Sequence, residues 1–211
     1  MYIAIETRPD IAHAVVMLSQ FNSYNGKTHW QCAKMILRYL QGTINRKLIY
    51  TKEDEGILGH ADADWGSCTY DRKFYSGCVF SLSGAAISWT SRKQRIVALS
   101  STEAEYGSLY EAVREAIHFS SFVKELRLDT LSQITIFNDN RSAGKLDENP
   151  VFHARTKHMD IKHHFIRQAI QAYPLIIKFL PTEEMTADIL TKPLSGIKFD
   201  NCVSGLGLKD C

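Results

Sequence analysis

Apolar positions recur along the chain at two different spacings, and the change in spacing divides the sequence into regions. Between residues 9 and 42 they recur every three or four positions, which predicts two helices separated by a turn at Asn25-Gly26. From residue 56 onward, short apolar runs are separated by turn residues such as Ser83-Gly84, which predicts a meander of three antiparallel strands. Residues 1–50 are therefore predicted to form a helical appendage ahead of a strand-rich region.

The second half of the chain alternates between helical and extended patterns. Ser100 followed by Glu103 is a capping-box pattern, and it opens a long helix. Two strands are predicted at 133–138 and 175–180, with helices between them and a last helix beginning after the second. This order predicts an α/β fold with a mixed five-stranded sheet, in which two strands that alternate with helices follow three antiparallel strands. Residues 196–211 are expected to form a loose C-terminal tail.

Composition narrows the class of protein. Of the 211 residues, 45% are hydrophobic and 23% are charged, which is typical of a globular chain and excludes a disordered one. The net charge is only +2, so nucleic-acid binding would require a local basic patch. The sequence shows no membrane-spanning apolar run and no signal-peptide pattern. The five cysteines form no CxxC pair, which argues against a disulfide framework and a zinc ribbon and predicts a reduced, intracellular protein.

A few of the 23 acidic residues stand where they could take part in chemistry. Asp62 and Asp139 stand at the ends of predicted strands, and Asp188 stands among apolar residues of the predicted last helix. Glu103 and Glu105 belong to the start of the long helix. Carboxylates from four separate elements can converge on a hard cation such as Mg²⁺, and two such ions can stabilise the attacking and leaving oxygens of a phosphoryl displacement. On spacing alone, ordinary surface acids remain the alternative.

A second cluster is basic. It falls within fifteen positions and consists of His153, Arg155, Lys157, His158, Lys162, His163, His164 and Arg167. The adjacent histidines His163 and His164 point apart on a helix, which disfavours a zinc site. Two interpretations remain, namely a solvated helix face and a surface whose cations grip nucleic-acid phosphates without reading sequence.

Longer stretches of sequence surround these residues and carry a family resemblance. They are 60–67 (HADADWGS), 87–107 (ISWTSRKQRIVALSSTEAEYG), 138–143 (NDNRSA), 149–167 (NPVFHARTKHMDIKHHFIR) and 179–194 (FLPTEEMTADILTKPL). In this order they resemble the ribonuclease H domain of copia-type retrotransposon Pol polyproteins. Upstream, TRPDIAHAVVMLSQF and THWQCAKMILRYLQGT are similar to the C-terminal tail of the reverse transcriptase of such a polyprotein.

The resemblance implies a catalytic and metal-binding role for four acids. The acid of the family's first strand falls on Asp62, and the helix glutamate of its Ala-Glu-aromatic motif falls on Glu105 and not on Glu103. The acid of the Asp-Asn pair falls on Asp139, and the acid of the Ala-Asp-Ile stretch falls on Asp188. These four carboxylates are expected to hold two Mg²⁺ or Mn²⁺ ions.

The resemblance further implies a fold, an activity and partners. It implies a ribonuclease H-like domain at 51–195, preceded at 1–50 by a remnant of reverse transcriptase. The implied activity is endonucleolytic hydrolysis of the RNA strand of RNA–DNA hybrids during reverse transcription. The expected partners are the hybrid and the rest of the Pol polyprotein, with no membrane and no small-molecule substrate. The expected location is intracellular and cytoplasmic, within a virus-like particle if the full element is expressed. The residues expected to bind the hybrid are Arg155, Lys157, His158, Lys162 and Arg167.

Departures from the family pattern limit these expectations. No Tyr-x-Asp-Asp motif is present, so the polymerase active site is absent from this chain. No loop histidine is evident near Asp188, which leaves the proton shuttle unassigned. Asp64 shares a strand face with Asp62 and could act as an outer group around the site. The main alternative is a truncated or co-opted fragment that binds nucleic acid without cutting it, and a third is another nuclease or transposase of the same broad fold.

Overall fold

A computed structural model describes residues 1–52, 56–65, 73–95, 97–98, 100–140 and 157–210, with the backbone alone at 129 and 157–160. The helices of the described part are α1 (Tyr2–Glu6), α2 (Ala12–Ser19), α3 (Lys27–Gly42), α4 (Ser101–Glu125), α5 (Lys157–Ala172) and α6 (Gly196–Gly205). Its strands are β1 (Arg46–Leu48), β2 (Ile57–Asp64), β3 (Tyr75–Leu82), β4 (Ala85–Lys93), β5 (Ile134–Asn138), β6 (Leu175–Phe179) and β7 (Leu208–Asp210). Short 3₁₀ helices cover Pro9–Ile11, Asp129–Leu131, Thr182–Glu184 and Thr186–Leu190.

The central sheet has the strand order β4-β3-β2-β5-β6. The pairs β2–β3 and β3–β4 are antiparallel, whereas β2–β5 and β5–β6 are parallel. Ser83 and Gly84 form the β3–β4 turn with φ values of 54° and 76°, the left-handed conformation that tight hairpins require. The predicted α/β arrangement of a mixed five-stranded sheet, with three antiparallel strands followed by two that alternate with helices, is confirmed.

Helices and turns cover both faces of this sheet. Along β3, Cys78 and Phe80 pack in one hydrophobic cluster with residues of α4 and α5, while Val79 packs in a second cluster with the Thr186–Leu190 segment and α6. Alternate residues of a strand point to opposite faces, so the two clusters lie on the two sides of the sheet. The sheet is thus buried between layers, and its strand ends are the places where polar side chains can meet.

The N-terminal segment is joined to the sheet by polar contacts. Trp89 of β4 donates its indole N–H to the carbonyl of Ala4 at 2.8 Å. Arg8 and Asp10 form a buried ion pair at 2.7 Å, and the Tyr39 hydroxyl donates to Asp10 at 2.6 Å. Helix α3, however, buries none of its residues, and Trp30 in its apolar stripe is 61% exposed. The two predicted helices are present, but the apolar face of the second is largely uncovered.

The prediction of a loose tail at 196–211 is wrong for the residues described there. Helix α6 buries Cys202 and Val203 in the second cluster, and Leu206 accepts a backbone hydrogen bond from Ala86 at 3.0 Å. Strand β7 then pairs antiparallel with β1. The glycine content of this segment is typical of a loose tail, but Gly205 and Gly207 allow close packing instead, since a Cβ at Gly207 would lie 2.4 Å from a backbone oxygen.

A further correction concerns the predicted last helix after Pro181. The structure forms two 3₁₀ helices there, Thr182–Glu184 and Thr186–Leu190, and the second of them carries Asp188. The tighter 3₁₀ geometry suits a short segment whose five residues are all buried against the sheet. The short helix predicted after Asp139 falls at 141–156, outside the described residues. In the described part of the chain, no helix is both long and apolar enough to cross a membrane.

Candidate active site

Three of the four predicted acids converge at one edge of the sheet. Ala61 of β2 pairs with Asn138 of β5, and the two strands are parallel, so the next residues, Asp62 and Asp139, lie at the same level. Glu105 reaches the same place from the start of α4. One oxygen of each of these three carboxylates lies within 4.8 Å of the other two. We call Asp62, Glu105 and Asp139 the carboxylate triad.

The hydrogen bonds of Asn138 fix the centre of the triad. Its amide Nδ2 donates to the Ala61 carbonyl at 3.1 Å and to Glu105 Oε2 at 3.2 Å, and its Oδ1 accepts from the Asn140 backbone at 3.0 Å. Asn138 is only 1% exposed, so water does not compete for these bonds. One side chain therefore connects both strands to the helix that supplies the glutamate.

Asp139 is held from the opposite side of the site. The Thr182 hydroxyl donates to Asp139 Oδ2 at 2.8 Å, and Thr182 opens the first 3₁₀ helix after β6. The carboxylate that follows β5 is thereby tied to the segment that follows the neighbouring strand. This contact orients the Asp139 carboxylate.

The triad is electrostatically unfavourable without a counterion. Burial, and then the nearby charges of Asp62 and Asp139, raise the pKa of Glu105 well above the ordinary carboxyl range. Burial is also the largest cause that raises the pKa of Asp62, and the charges of Asp188 and Asp139 raise it further. Both pKa values are raised because ionised carboxylates in the triad repel one another and lack solvation. A cation among them would remove that penalty.

Asp188 lies beside the triad but outside it. It is 2% exposed and forms ion pairs with Lys192 at 2.9 Å and with Lys198 at 3.4 Å. Lys192 also approaches Asp62 Oδ2 at 3.6 Å, so one ammonium lies between the two aspartates. Burial alone would lower the pKa of Lys192, but the charges of Asp62 and Asp188 raise it above its ordinary value.

The segment that carries Asp188 sits closely against the triad because of a glycine. Gly77 of β3 is the ladder partner of Asp62, and a Cβ there would lie 2.7 Å from Leu190 Cβ and 2.8 Å from Thr191 Cγ2. The missing side chain lets Thr191 donate its hydroxyl to Asp62 Oδ2. Thr191 is completely buried. Asp62 is therefore held both by the pairing of β2 with β3 and by the hydroxyl of Thr191.

Glu103 and Asp64, the acids two residues away from Glu105 and Asp62, lie outside the triad. Glu103 donates its backbone N–H to the Ser100 hydroxyl at 3.2 Å, which is the capping role expected of its position. Asp64 ends β2 two residues beyond Asp62, and its negative charge helps to raise the pKa of Lys192. Asp64 thus contributes to the electrostatics around the site without joining the three converging carboxylates.

The predicted hybrid-binding residues are only partly described. Arg155 lies outside the described residues, and so do the side chains of Lys157 and His158. Lys162 and Arg167 lie half-buried on α5, with the Lys162 ammonium 5.9 Å from the centre of the Tyr110 ring. On the same helix, the His163 ring lies 3.9 Å from that of Tyr106, the residue after Glu105. Helix α5 therefore runs beside the helix that supplies the triad glutamate.

The triad fits a divalent cation on the chemistry of its donors. Mg²⁺ and Mn²⁺ take oxygen ligands, and Mg²⁺–oxygen distances of about 2.1 Å put two ligands on opposite sides about 4.2 Å apart. One oxygen of each of the three carboxylates lies within 4.8 Å of the other two, which is close to that spacing. The charge is also appropriate, because buried carboxylates with raised pKa values are stabilised by a cation.

Three residues that contact the predicted acids were not predicted from the sequence. Asn138, Thr191 and Lys192 each contact one or more of the four acids. Asn138 stands directly before Asp139, and a polar residue that ends an apolar strand could have indicated a buried hydrogen-bonding role. Thr191 and Lys192 gave no comparable signal, because their contacts depend on how the 3₁₀ segment lies against β2 and β3.

Comparison with known proteins finds relatives that match nearly the whole chain. No family model matches the chain. The retrovirus-related Pol polyprotein from transposon TNT 1-94 of Nicotiana tabacum is 41% identical over 208 residues, which cover 99% of this chain and 16% of that protein. The corresponding polyprotein from transposon RE1 of Arabidopsis thaliana is 40% identical over 208 residues, covering 98% and 14%. The chain therefore spans only about one sixth of the length of these relatives.

A third relative is covered much more completely. Secreted RxLR effector protein 161 of Plasmopara viticola is 49% identical over 118 residues, which cover 56% of this chain and 83% of that protein.

Among solved structures, RNase H1 from the halophilic archaeon Halobacterium salinarum NRC-1 matches with a TM-score of 0.48 and 18% identity, covering 65% of this chain and 95% of that one.

Proposed function

The chain belongs to the Pol polyprotein family of copia-type retrotransposons, and on that premise we propose that it is the ribonuclease H part of such a polyprotein. Its reaction is metal-dependent, endonucleolytic hydrolysis of the RNA strand of an RNA–DNA hybrid during reverse transcription. The observation that carries the proposal is the carboxylate triad of Asp62, Glu105 and Asp139, whose oxygens lie within 4.8 Å of one another.

The proposed division of labour follows from the contacts of each acid. Asp62, Glu105 and Asp139 would hold one Mg²⁺ or Mn²⁺ ion, and Asp188 together with Asp62 would hold a second. Two bound ions of this kind would stabilise the attacking and leaving oxygens at phosphorus. Other residues of the chain orient the acids, because Asn138 donates a hydrogen bond to Glu105 and Thr191 donates one to Asp62.

The hybrid is proposed to lie along helix α5. Lys162 and Arg167 are half-buried there, next to the helix that supplies Glu105. Cations so placed contact phosphates and bind hybrids of any sequence. Arg155, Lys157 and His158 belong to the same proposal, on the sequence resemblance alone.

The parts of the chain and its surroundings are proposed from the relatives. Residues 1–50 are the C-terminal remnant of reverse transcriptase, and 51–195 are the ribonuclease H-like domain. Support comes from matches that extend over 98–99% of the chain and therefore include the N-terminal segment. The proposed partner is the remainder of the polyprotein, and the proposed location is the cytoplasm, within a virus-like particle when the whole element is expressed.

A second candidate function is a co-opted fragment that binds nucleic acid without cutting it. The observation that favours it is the Plasmopara viticola relative, since a match to part of this chain covers 83% of that protein. A sequence of this type therefore recurs outside the long polyproteins. The intact triad favours the enzyme over this alternative.

One assay separates the two candidates. The full chain is incubated with an RNA–DNA hybrid labelled on its RNA strand, with Mg²⁺ or Mn²⁺ and with a chelator, and compared with RNA and DNA duplexes. We expect metal-dependent cleavage of the hybrid alone. Asp62→Asn should lower the rate by at least about 100-fold while hybrid binding persists, because even residues that only orient metal ligands contribute about 10- to 100-fold.

Asp64→Asn is the matched control, because it removes the same charge two residues away and outside the triad. Its rate should stay within a few-fold of the original chain. Hybrid binding without cleavage in either metal would favour the co-opted fragment. Absence of both binding and cleavage would contradict both candidates.

A further inference from the structure

Lys192 lies between two of the predicted acids. Its ammonium is 2.9 Å from Asp188 Oδ1 and 3.6 Å from Asp62 Oδ2. Both aspartates are nearly inaccessible to solvent, at 2% and 1% exposure, whereas the Lys192 side chain is 28% exposed. The lysine therefore reaches inward from the protein surface and puts a positive charge between two buried carboxylates.

The fold holds this lysine in place. Its backbone N–H donates to the Asp188 carbonyl at 3.1 Å, one turn back along the chain. The preceding residue, Thr191, is completely buried and donates its hydroxyl to Asp62. Gly77 leaves the space that this segment fills. The ammonium is thus delivered between the aspartates by a packed backbone and is not simply the end of a mobile surface chain.

The charges around the two aspartates differ from those of the triad. Lys192 and Lys198 both pair with Asp188, and Lys192 also approaches Oδ2 of Asp62, the oxygen to which Thr191 donates. A divalent ion shared by Asp62 and Asp188 would lie between the two carboxylates, where the Lys192 ammonium lies. An ammonium and a divalent ion cannot both occupy that space, because like charges at such a short separation repel strongly.

We propose that Lys192 is a positioning residue that takes the place of the second cation between Asp62 and Asp188 until that ion displaces it. The inference rests on the proposed metal site and adds an order of binding to it. The first ion binds at the triad, two of whose members, Glu105 and Asp139, form no ion pair with a lysine among the described residues. The second ion binds more weakly, because it must displace the ammonium of Lys192. The same lysine holds Asp62 and Asp188 together before any metal arrives.

Calorimetric titration of the metal-free chain with Mn²⁺, without nucleic acid, tests this order. The original chain should show one stronger and one weaker site. Lys192→Met should tighten the weaker site by at least about fivefold, the low end of ordinary coupling between two ligands. Lys192→Arg keeps the charge and should keep the weak second site. The metal-free Lys192→Met chain should also melt at a lower temperature, and saturating Mn²⁺ should restore most of the difference.

Two further variants keep the test decisive. Lys192→Gln removes the charge but keeps a polar N–H donor at this position, so it replaces Lys192→Met in the measurement if Lys192→Met does not fold. Lys198→Met removes a lysine that pairs with Asp188 and not with Asp62, and it should leave the second site much less affected. An unchanged second site in both neutral Lys192 variants, or equal tightening in Lys198→Met, would overturn the proposal for Lys192 alone. A chain that binds no Mn²⁺ at all would overturn the metal site itself.

Discussion

The acidic site and the basic helix α5 lie side by side, yet they are built in opposite ways. Asp62 is nearly inaccessible, and both Asp62 and Glu105 are fixed by hydrogen bonds from buried residues of other elements. Lys162 and Arg167 are half-exposed on a helix surface, and the Lys162 ammonium lies over an aromatic ring. The acids are held in one arrangement at the cost of mutual repulsion. The two cations are only half-buried, so their charged ends can adjust to a ligand.

This difference separates two properties that a nuclease needs. A preorganised cluster of carboxylates determines whether the phosphodiester is cut, because hydrolysis depends on the positions of a cation and its ligands. Exposed cations determine how tightly the duplex is held, because phosphate contacts are largely independent of sequence and strongly dependent on salt. Substitutions in the acidic site should therefore abolish cleavage with little effect on hybrid binding. Substitutions of the cations on α5 should weaken hybrid binding with little effect on cleavage at saturating hybrid.

The largest expected effect comes from breaking the acidic site at its helix. Glu105→Gln keeps the shape of the side chain and removes its charge, so hybrid cleavage should fall by at least about 100-fold while hybrid binding stays within a few-fold. Glu103→Gln is the matched control two residues earlier, and its cleavage rate should be nearly unchanged. Equal losses in both variants would show that the charge of the helix start, and not the triad, supports catalysis.

The repulsion within the acidic site predicts an unusual response to pH. The raised pKa values of Asp62 and Glu105 mean that the folded, metal-free chain binds more protons than the unfolded chain at pH values above about 4. Stability should therefore be highest below that range and fall as the pH rises through the raised pKa values, because these carboxylates must then ionise in a buried place.

Melting temperatures between about pH 5 and pH 8 measure this effect. Saturating Mg²⁺ should oppose the fall, because it binds the ionised carboxylates of the folded chain, so its stabilising effect should grow with pH. In Asp62→Asn both the fall and the effect of Mg²⁺ should shrink. A Mg²⁺ effect that is equal at both ends of the pH range would contradict the assignment of the repelling carboxylates as its ligands.

The smallest expected effect comes from the basic helix. Lys162→Gln combined with Arg167→Gln should weaken hybrid binding several-fold, equally for hybrids of different sequence. The slope of log affinity against log salt should become shallower by roughly 0.7–0.9 for each phosphate that the variant no longer neutralises. Cleavage at saturating hybrid should persist. Lys209→Gln, an exposed lysine on β7, is the control, and an unchanged salt slope in the double variant would return α5 to an ordinary solvated face.

The sequence predicted the elements whose patterns are local. The spacing of apolar residues sufficed for the five strands of the sheet, and a capping residue sufficed for the start of α4, because these elements depend on nearby residues. The three acids of the triad were assigned from the family resemblance, whose motifs fall at two predicted strand ends and at a helix start. Parallel strands bring their carboxyl ends together, so the convergence of Asp62 and Asp139 agrees with the order of the elements.

The parts that sequence could not predict depend on contacts between distant segments. Asp188 was expected on a helix but lies in a 3₁₀ segment, since packing over Gly77 decides its geometry. Residues 196–210 looked like a loose tail because the strand that pairs with β7 is β1, more than 150 positions away. The bridging position of Lys192 likewise exists only after the segment is docked on the sheet. Local pattern carries no information about such pairings.

The central claim is that Asp62, Glu105 and Asp139 hold the cation on which hydrolysis depends. Crystals of the full chain grown with Mn²⁺, with data collected at the manganese absorption edge, locate that ion directly by its anomalous signal. We expect an anomalous peak within bonding distance of oxygens from all three carboxylates, and its loss in Asp62→Asn crystals grown in the same way. A chain that cleaves hybrids in Mn²⁺ but binds its manganese elsewhere, or shows no peak at the triad, would contradict the account.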